Sequence, residues 1–101
     1  MDNLEPNFEM SFISILLNKP NLIQELDVQE DWFEMESMRI ILKAIKQSNG
    51  TDVFITEIHQ RIKEENIFTT VSLNELEMLA DTNTNPELIW ALLEQIHRSY
   101  G

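Results

Sequence analysis

The sequence predicts an all-α fold, a compact orthogonal bundle of about six short helices around one core. Three observations carry that expectation. Apolar residues recur at three- and four-residue spacing along most of the chain. Helix punctuation separates these runs, with Asn18-Lys19-Pro20 and Asn49-Gly50 as stops and Ser72-Leu73-Asn74-Glu75 and Asn85-Pro86 as starts. Only two Gly and three Pro are present, which leaves little for a turn-rich β-sandwich.

Taken in order, residues 1–6 read as a flexible tail, and 7–101 as a single helical globular domain. The first helix is expected from about Asn7 to Asn18 as an amphipathic helix, with Asn7 as N-cap accepting a first-turn amide. Phe8, Phe12, Ile15 and Leu16 recur at helical spacing there, and Ile13 and Leu17 widen the buried face. Pro20 cannot extend that helix and suits the turn into a short one over Asn21 to Leu26. A corner of acidic and aromatic residues, Glu30-Asp31-Trp32-Phe33, precedes the third helix, expected over Glu36 to Ser48 and carrying Met38, Ile41, Leu42 and Ile45. Trp32 and Phe33 are expected to plug the core between the second and third helices.

Thr51 to Phe54 reads as a short extended lead into a fourth helix on Ile55, Ile58 and Ile62, ending near Asn66. Ile67 to Val71 is a loop or brief extended piece. Ser72 and Glu75 make a capping box for a fifth helix bearing Leu73, Leu76 and Leu79. After polar turn residues at Asp81 to Thr84, Asn85 as N-cap and Pro86 at the first position open the last helix. Its apolar face is Ile89, Leu92, Leu93 and Ile96.

Composition bounds the function. A chain of 101 residues with 43% apolar content supports one domain and one core. No cysteine is present, which excludes a disulfide frame and a thiolate metal site. No apolar run approaches the roughly 18 residues of a membrane span, and the acidic N-terminus is unlike a signal peptide, so a cytoplasmic location is expected. Seven Lys+Arg face 18 Asp+Glu, a formal net charge of −11. Phosphate contacts supply most non-specific nucleic-acid affinity, and a polyanion repels them. Direct nucleic-acid binding is not expected; a basic protein partner is compatible.

Few residues stand out as chemistry. His59 and His97 lack the His-Glu-x-x-His spacing of a zinc helix. Glu94-x-x-His97 has the spacing of carboxylate-bridged di-metal bundles, but a second such pair is missing. Both histidines are read as structural. Asp27, Glu30, Asp31, Glu34 and Glu36 form an acidic cluster, read either as a partner patch or as a solvated face that favours helix N-termini. Arg39, Lys43 and Lys46, at i, i+4 and i+7, share one helix face and form the only basic stripe. Meeting the acidic corner of another copy would give a charge-complementary contact. Trp90 lies one position off the last helix's apolar face, half exposed as interface anchors often are, although boundary packing is the commoner role. Met35 and Met78 are off-pattern enough to mark a sticky surface, whereas methionines elsewhere fill gaps in the core.

The order of elements resembles the N-terminal domain of a bacterial or phage replicative DNA helicase of the DnaB type. The resemblance lies in a first helix ending Ile15-Leu16-Leu17, the turn and short helix Asn18-Lys19-Pro20-Asn21-Leu22-Ile23, and the corner Glu30-Asp31-Trp32-Phe33. It continues through Arg39-Ile40-Ile41-Leu42-Lys43-Ala44-Ile45 and, after Gly50, Asp52-Val53-Phe54-Ile55-Thr56. Two positions depart from it. Met38 stands where the family has His, and Val71-Ser72-Leu73-Asn74-Glu75-Leu76 replaces a Gly-Gly-x-x-Tyr-Leu stretch, as in a distant phage or plasmid branch.

The resemblance implies a non-catalytic assembly and docking domain that contributes to the hexamer's collar and contacts primase, helicase loader or other copies of the helicase. No Gly-x-x-x-x-Gly-Lys phosphate loop occurs in these residues, so ATP hydrolysis and DNA translocation are not expected of them. No catalytic, cofactor-binding or metal-ligating residue is assigned, and the isolated domain is expected to be a monomer or weak dimer. The candidate partner-binding residues are Glu30, Asp31, Glu34, Arg39, Lys43, Lys46 and Trp90. An alternative is a standalone phage-type adaptor or inhibitor that mimics the helicase head and binds a host replication protein. A third reading, a helix-turn-helix transcription factor, is opposed by the net charge.

Overall fold

A computed structural model of the chain describes residues 5–48, 55–65, 71–82 and 85–100. Among them are five α-helices: α1 (Glu5–Asn18), α2 (Glu36–Ser48), α3 (Ile55–Glu65), α4 (Leu73–Asp81) and α5 (Ile89–Tyr100). Three 3-10 turns, Pro20–Glu25, Glu30–Trp32 and Pro86–Leu88, join or extend them. The fold is all-α. Its radius of gyration, 12.5 Å, is that of one compact body, since about 13 Å is expected for a domain of this length.

The first helix is the centre of the molecule. α1 touches α2, α4 and α5, and six consecutive residues, Phe12 to Leu17, are buried. A helix apolar on one face only would leave some of these in water. Enclosure on several sides buries them all, so α1 is a central helix rather than the amphipathic one expected. It also begins at Glu5, upstream of Asn7. Pro6 in a first turn costs no hydrogen bond, because first-turn amides have no intrahelical acceptor. Asn7 therefore lies inside the helix and is not its cap; residues 1–4 of the expected tail lie outside the described residues.

The other helices follow their apolar spacing. α2 buries Met38, Ile41, Leu42, Ala44 and Ile45 and leaves Arg39 and Lys43 in water. α3 buries Ile58 and Ile62, and its Glu65 accepts a bond from Gln47 of α2 at 2.6 Å. Ser72 caps α4 as expected, its Oγ accepting from the Glu75 amide at 3.1 Å. Asn85 accepts from the Glu87 amide at 3.0 Å, and Pro86 opens a 3-10 turn that runs directly into α5. α5 buries Ile89 and Ile96 and half-buries Leu92 and Leu93. The short second helix is a 3-10 turn over Pro20–Glu25. The expected stop at Asn49-Gly50, the lead at Thr51–Phe54 and the piece from Ile67 to Thr70 lie outside the described residues.

One polar tie closes the α1–α4 seam. Asn18, the last residue of α1, donates from Nδ2 to the Ser14 carbonyl and to the Ala80 carbonyl, both at 2.9 Å. One side chain so satisfies C-terminal carbonyls of two helices.

Candidate functional site

The acidic corner is fixed by side chains that reach it from α1 and α2. Glu9 is 1% exposed, on the face of α1 that also carries Phe12, Ile13 and Leu16. Its Oε2 accepts from the Glu34 amide at 3.0 Å and its Oε1 from the Met35 amide at 3.2 Å. The Met35 carbonyl in turn accepts the Arg39 amide at 3.1 Å, the first bond of α2. The carboxylate of one helix therefore sits at the N-terminus of another, where unpaired amides and the helix dipole favour negative charge. Glu9 went unrecognised in the sequence, although a carboxylate in register with Phe12, Ile13 and Leu16 is the signal that could have found it.

Two cations of α2 hold the other side. Arg39 Nε donates to the Phe33 carbonyl at 2.6 Å. Lys46 Nζ donates to the Val28 carbonyl at 3.0 Å and to Glu30 Oε2 at 2.6 Å. Burial raises the affinity of Glu30 for a proton. The Lys46 hydrogen bond, its own backbone amide and the charges of Lys46 and Lys43 outweigh this, so its pKa lies below the ordinary 4.5. The pair is about one-third exposed on each side, 33% for Lys46 and 31% for Glu30, where an ion pair adds about 1 kcal/mol or less.

These contacts sort the candidate residues. Glu30 and Lys46 meet each other within one chain, and Arg39 is bonded to the corner's backbone, so two of the three stripe cations are engaged internally. Asp31 and Glu34 are exposed, as are Asp27 and Glu36 beside them, and so is Lys43 on α2. Trp90 is 55% exposed, on α5. Glu30, Lys46 and Lys43 come together, Arg39 bonds the backbone next to them, and Asp31 and Glu34 flank them in the chain.

The aromatic pair divides. Phe33 is buried against Phe12, with ring centroids 5.8 Å apart. Trp32 packs against the edge of the core rather than inside it: it is half-buried and stacks on His97 of α5, at 4.3 Å and 22°, with Tyr100 at 6.4 Å. Adjacent side chains leaving a tight turn diverge, and only one of the two can point inward. His97 thus has an aromatic partner, and Glu94 pairs with Arg98 at 3.8 Å rather than with His97. Among the described residues no group of three or more His, Asp or Glu is placed to hold a metal ion, and no helix is long and apolar enough to cross a membrane.

The arrangement offers negative charge on a backbone bonded to side chains of α1 and α2, beside a stacked aromatic pair. Such a surface can recognise a cationic protein segment through charge and, at Trp32, through cation–π contact. No protein-family model, curated protein or solved structure matches the chain.

Proposed function

We propose that this chain is the non-catalytic assembly and docking domain of a replicative DNA helicase, and that it meets primase or loader through its acidic corner. The helicase identity rests on the resemblance of the residues from Ile15 to Thr56 to DnaB-type N-terminal domains. The observation that supports docking is the corner itself. Asp27, Asp31, Glu34 and Glu36 are exposed on a segment whose backbone is tied by Glu9, Arg39 and Lys46. A surface ordered before binding loses less conformational entropy when a partner arrives, and a net charge of −11 steers a basic one towards it.

Affinity capture from the native host's lysate tests this reading, with the wild-type chain beside an Asp31→Lys/Glu34→Lys variant. Both positions are exposed, and neither side chain ties the corner. The expected result is recovery of primase, loader or helicase by the wild type and its loss in the variant. Absence of all three, or recovery undiminished by charge reversal, contradicts the proposal. The same capture separates a collar domain, which brings down its helicase and primase, from an adaptor that brings down one host replication protein.

A further inference from the structure

Four of the chain's five methionines converge on one cleft. Met10 of α1, Met35 just before α2, Met38 in its first turn and Met78 of α4 line it, together with Leu79 and Glu75. These methionines come from three separate stretches of sequence, so the convergence is made by the fold. Met38 and Leu79 are buried and form the floor, and Met10 and Met35 are half-buried. Met78 stands at the rim, 64% exposed, its sulfur 3.7 Å from Asn74 Nδ2. Core packing accounts for Met38 and for the inner sides of Met10 and Met35, but not for the exposed Met78 beside them. Unbranched, polarizable thioethers adapt to varied apolar shapes, which suits them to peptide recognition.

Size and charge narrow the occupant. The cleft volume is about 200 Å³, below the roughly 300–1,000 Å³ of small-molecule sites. It fits side chains inserted from a larger partner better than it fits a cofactor. Its lining holds one carboxylate, Glu75, and no Lys or Arg. Two exposed acids, Glu34 and Glu36, adjoin Met35 in the chain. The nearest cation along α2, Arg39, turns its Nε to the Phe33 carbonyl. The described residues contain no strand, hence no sheet edge that an extended peptide could join.

We propose that this cleft receives the apolar face of a basic amphipathic helix from a partner protein. Anchor residues of that helix enter between α1 and α4, and its flanking Lys or Arg side chains meet Glu75 and the exposed acids beside Met35. The inference goes beyond the helicase reading and stands without it.

Methionine-methyl NMR of the full chain tests it, with a short synthetic amphipathic helix of Leu and Lys as the probe. Two control peptides accompany it: Ser in place of Leu, which keeps the charge, and Glu in place of Lys, which keeps the apolar face. The methyl signals of Met10, Met35, Met38 and Met78 should shift with the Leu/Lys peptide and with neither control. Met78→Glu should weaken binding at least about tenfold. That substitution adds negative charge, so the loss cannot be electrostatic. Unmoved methyl signals overturn the proposal, as does equal binding of either control. Shifts that follow protein concentration without any peptide would also overturn it, by giving the cleft to a second copy of the chain.

Discussion

The α1–α4 seam is held almost wholly by apolar burial, whereas the acidic corner, anchored in the same core by Val28 and Phe33, adds a set of polar ties. At the seam, Leu76 and Leu79 of α4 join the buried cluster built on Phe12 to Leu17 of α1, and Asn18 adds a single polar tie. Burial of apolar area is non-directional, so shape and volume decide stability there. At the corner, the Val28 and Phe33 carbonyls and the Glu34 and Met35 amides are each bonded to a side chain from α1 or α2. Such bonds are directional and depend on single atoms. The two regions differ in what a single substitution removes: packing volume at the seam, and a directional bond at the corner. The seam supplies cohesion, whereas the corner uses polar ties to present charge at fixed positions.

Breaking the seam gives the largest effect. Leu76 is fully buried, and Leu76→Ala should cost about 2–5 kcal/mol through lost transfer energy and the cavity left behind. Urea denaturation measures it. If the two regions are held independently, the Trp32–His97 stack keeps its fluorescence in the native baseline of that variant.

The corner's main tie comes next. Glu9→Ala leaves the part-buried Glu34 and Met35 amides without their acceptor, for an expected loss of about 1–3 kcal/mol. Glu9→Gln keeps one acceptor oxygen but removes the charge from the α2 N-terminus, and it should lose less. Equal losses for the two variants would show that the side chain acts by filling space, which would erase the distinction between corner and seam.

The smallest effect belongs to the Glu30–Lys46 pair. Glu30→Gln should cost about 0.5–1 kcal/mol at neutral pH. Because the folded-state pKa of Glu30 is depressed, its contribution is complete above the ordinary 4.5 and drains away as pH falls through the folded value. Wild type and Glu30→Gln should therefore converge in stability in acid. A gap that persists below that range would place the stabilisation in something other than the carboxylate charge.

The helices were legible in the sequence, and their pairing and the corner's construction were not. Apolar periodicity located α2, α3, α4 and α5, because burial of one helix face leaves a regular mark. The caps at Ser72 and Asn85 were equally plain, being local chemistry within a few residues. The burial of α1 on all sides escaped, since it depends on how many neighbours surround it. The patch was legible as a composition of charges, and its internal pairing was not. Lys46 and Glu30 are 16 positions apart, and Glu9 and Glu34 are 25 apart. Spacing on one helix says nothing about a partner supplied by another element. Trp32 and Phe33 make the same point, since only the turn they leave decides which one enters the core.

Amide hydrogen exchange at Glu34 and Met35 tests most directly whether the corner is a prearranged surface. Both amides should be protected to a degree comparable with interior amides of α2, and should lose that protection in Glu9→Ala while α1 and α4 remain protected. Exchange at free-peptide rates in the wild type would contradict it, because a corner that opens freely cannot hold its carboxylates in place for a partner.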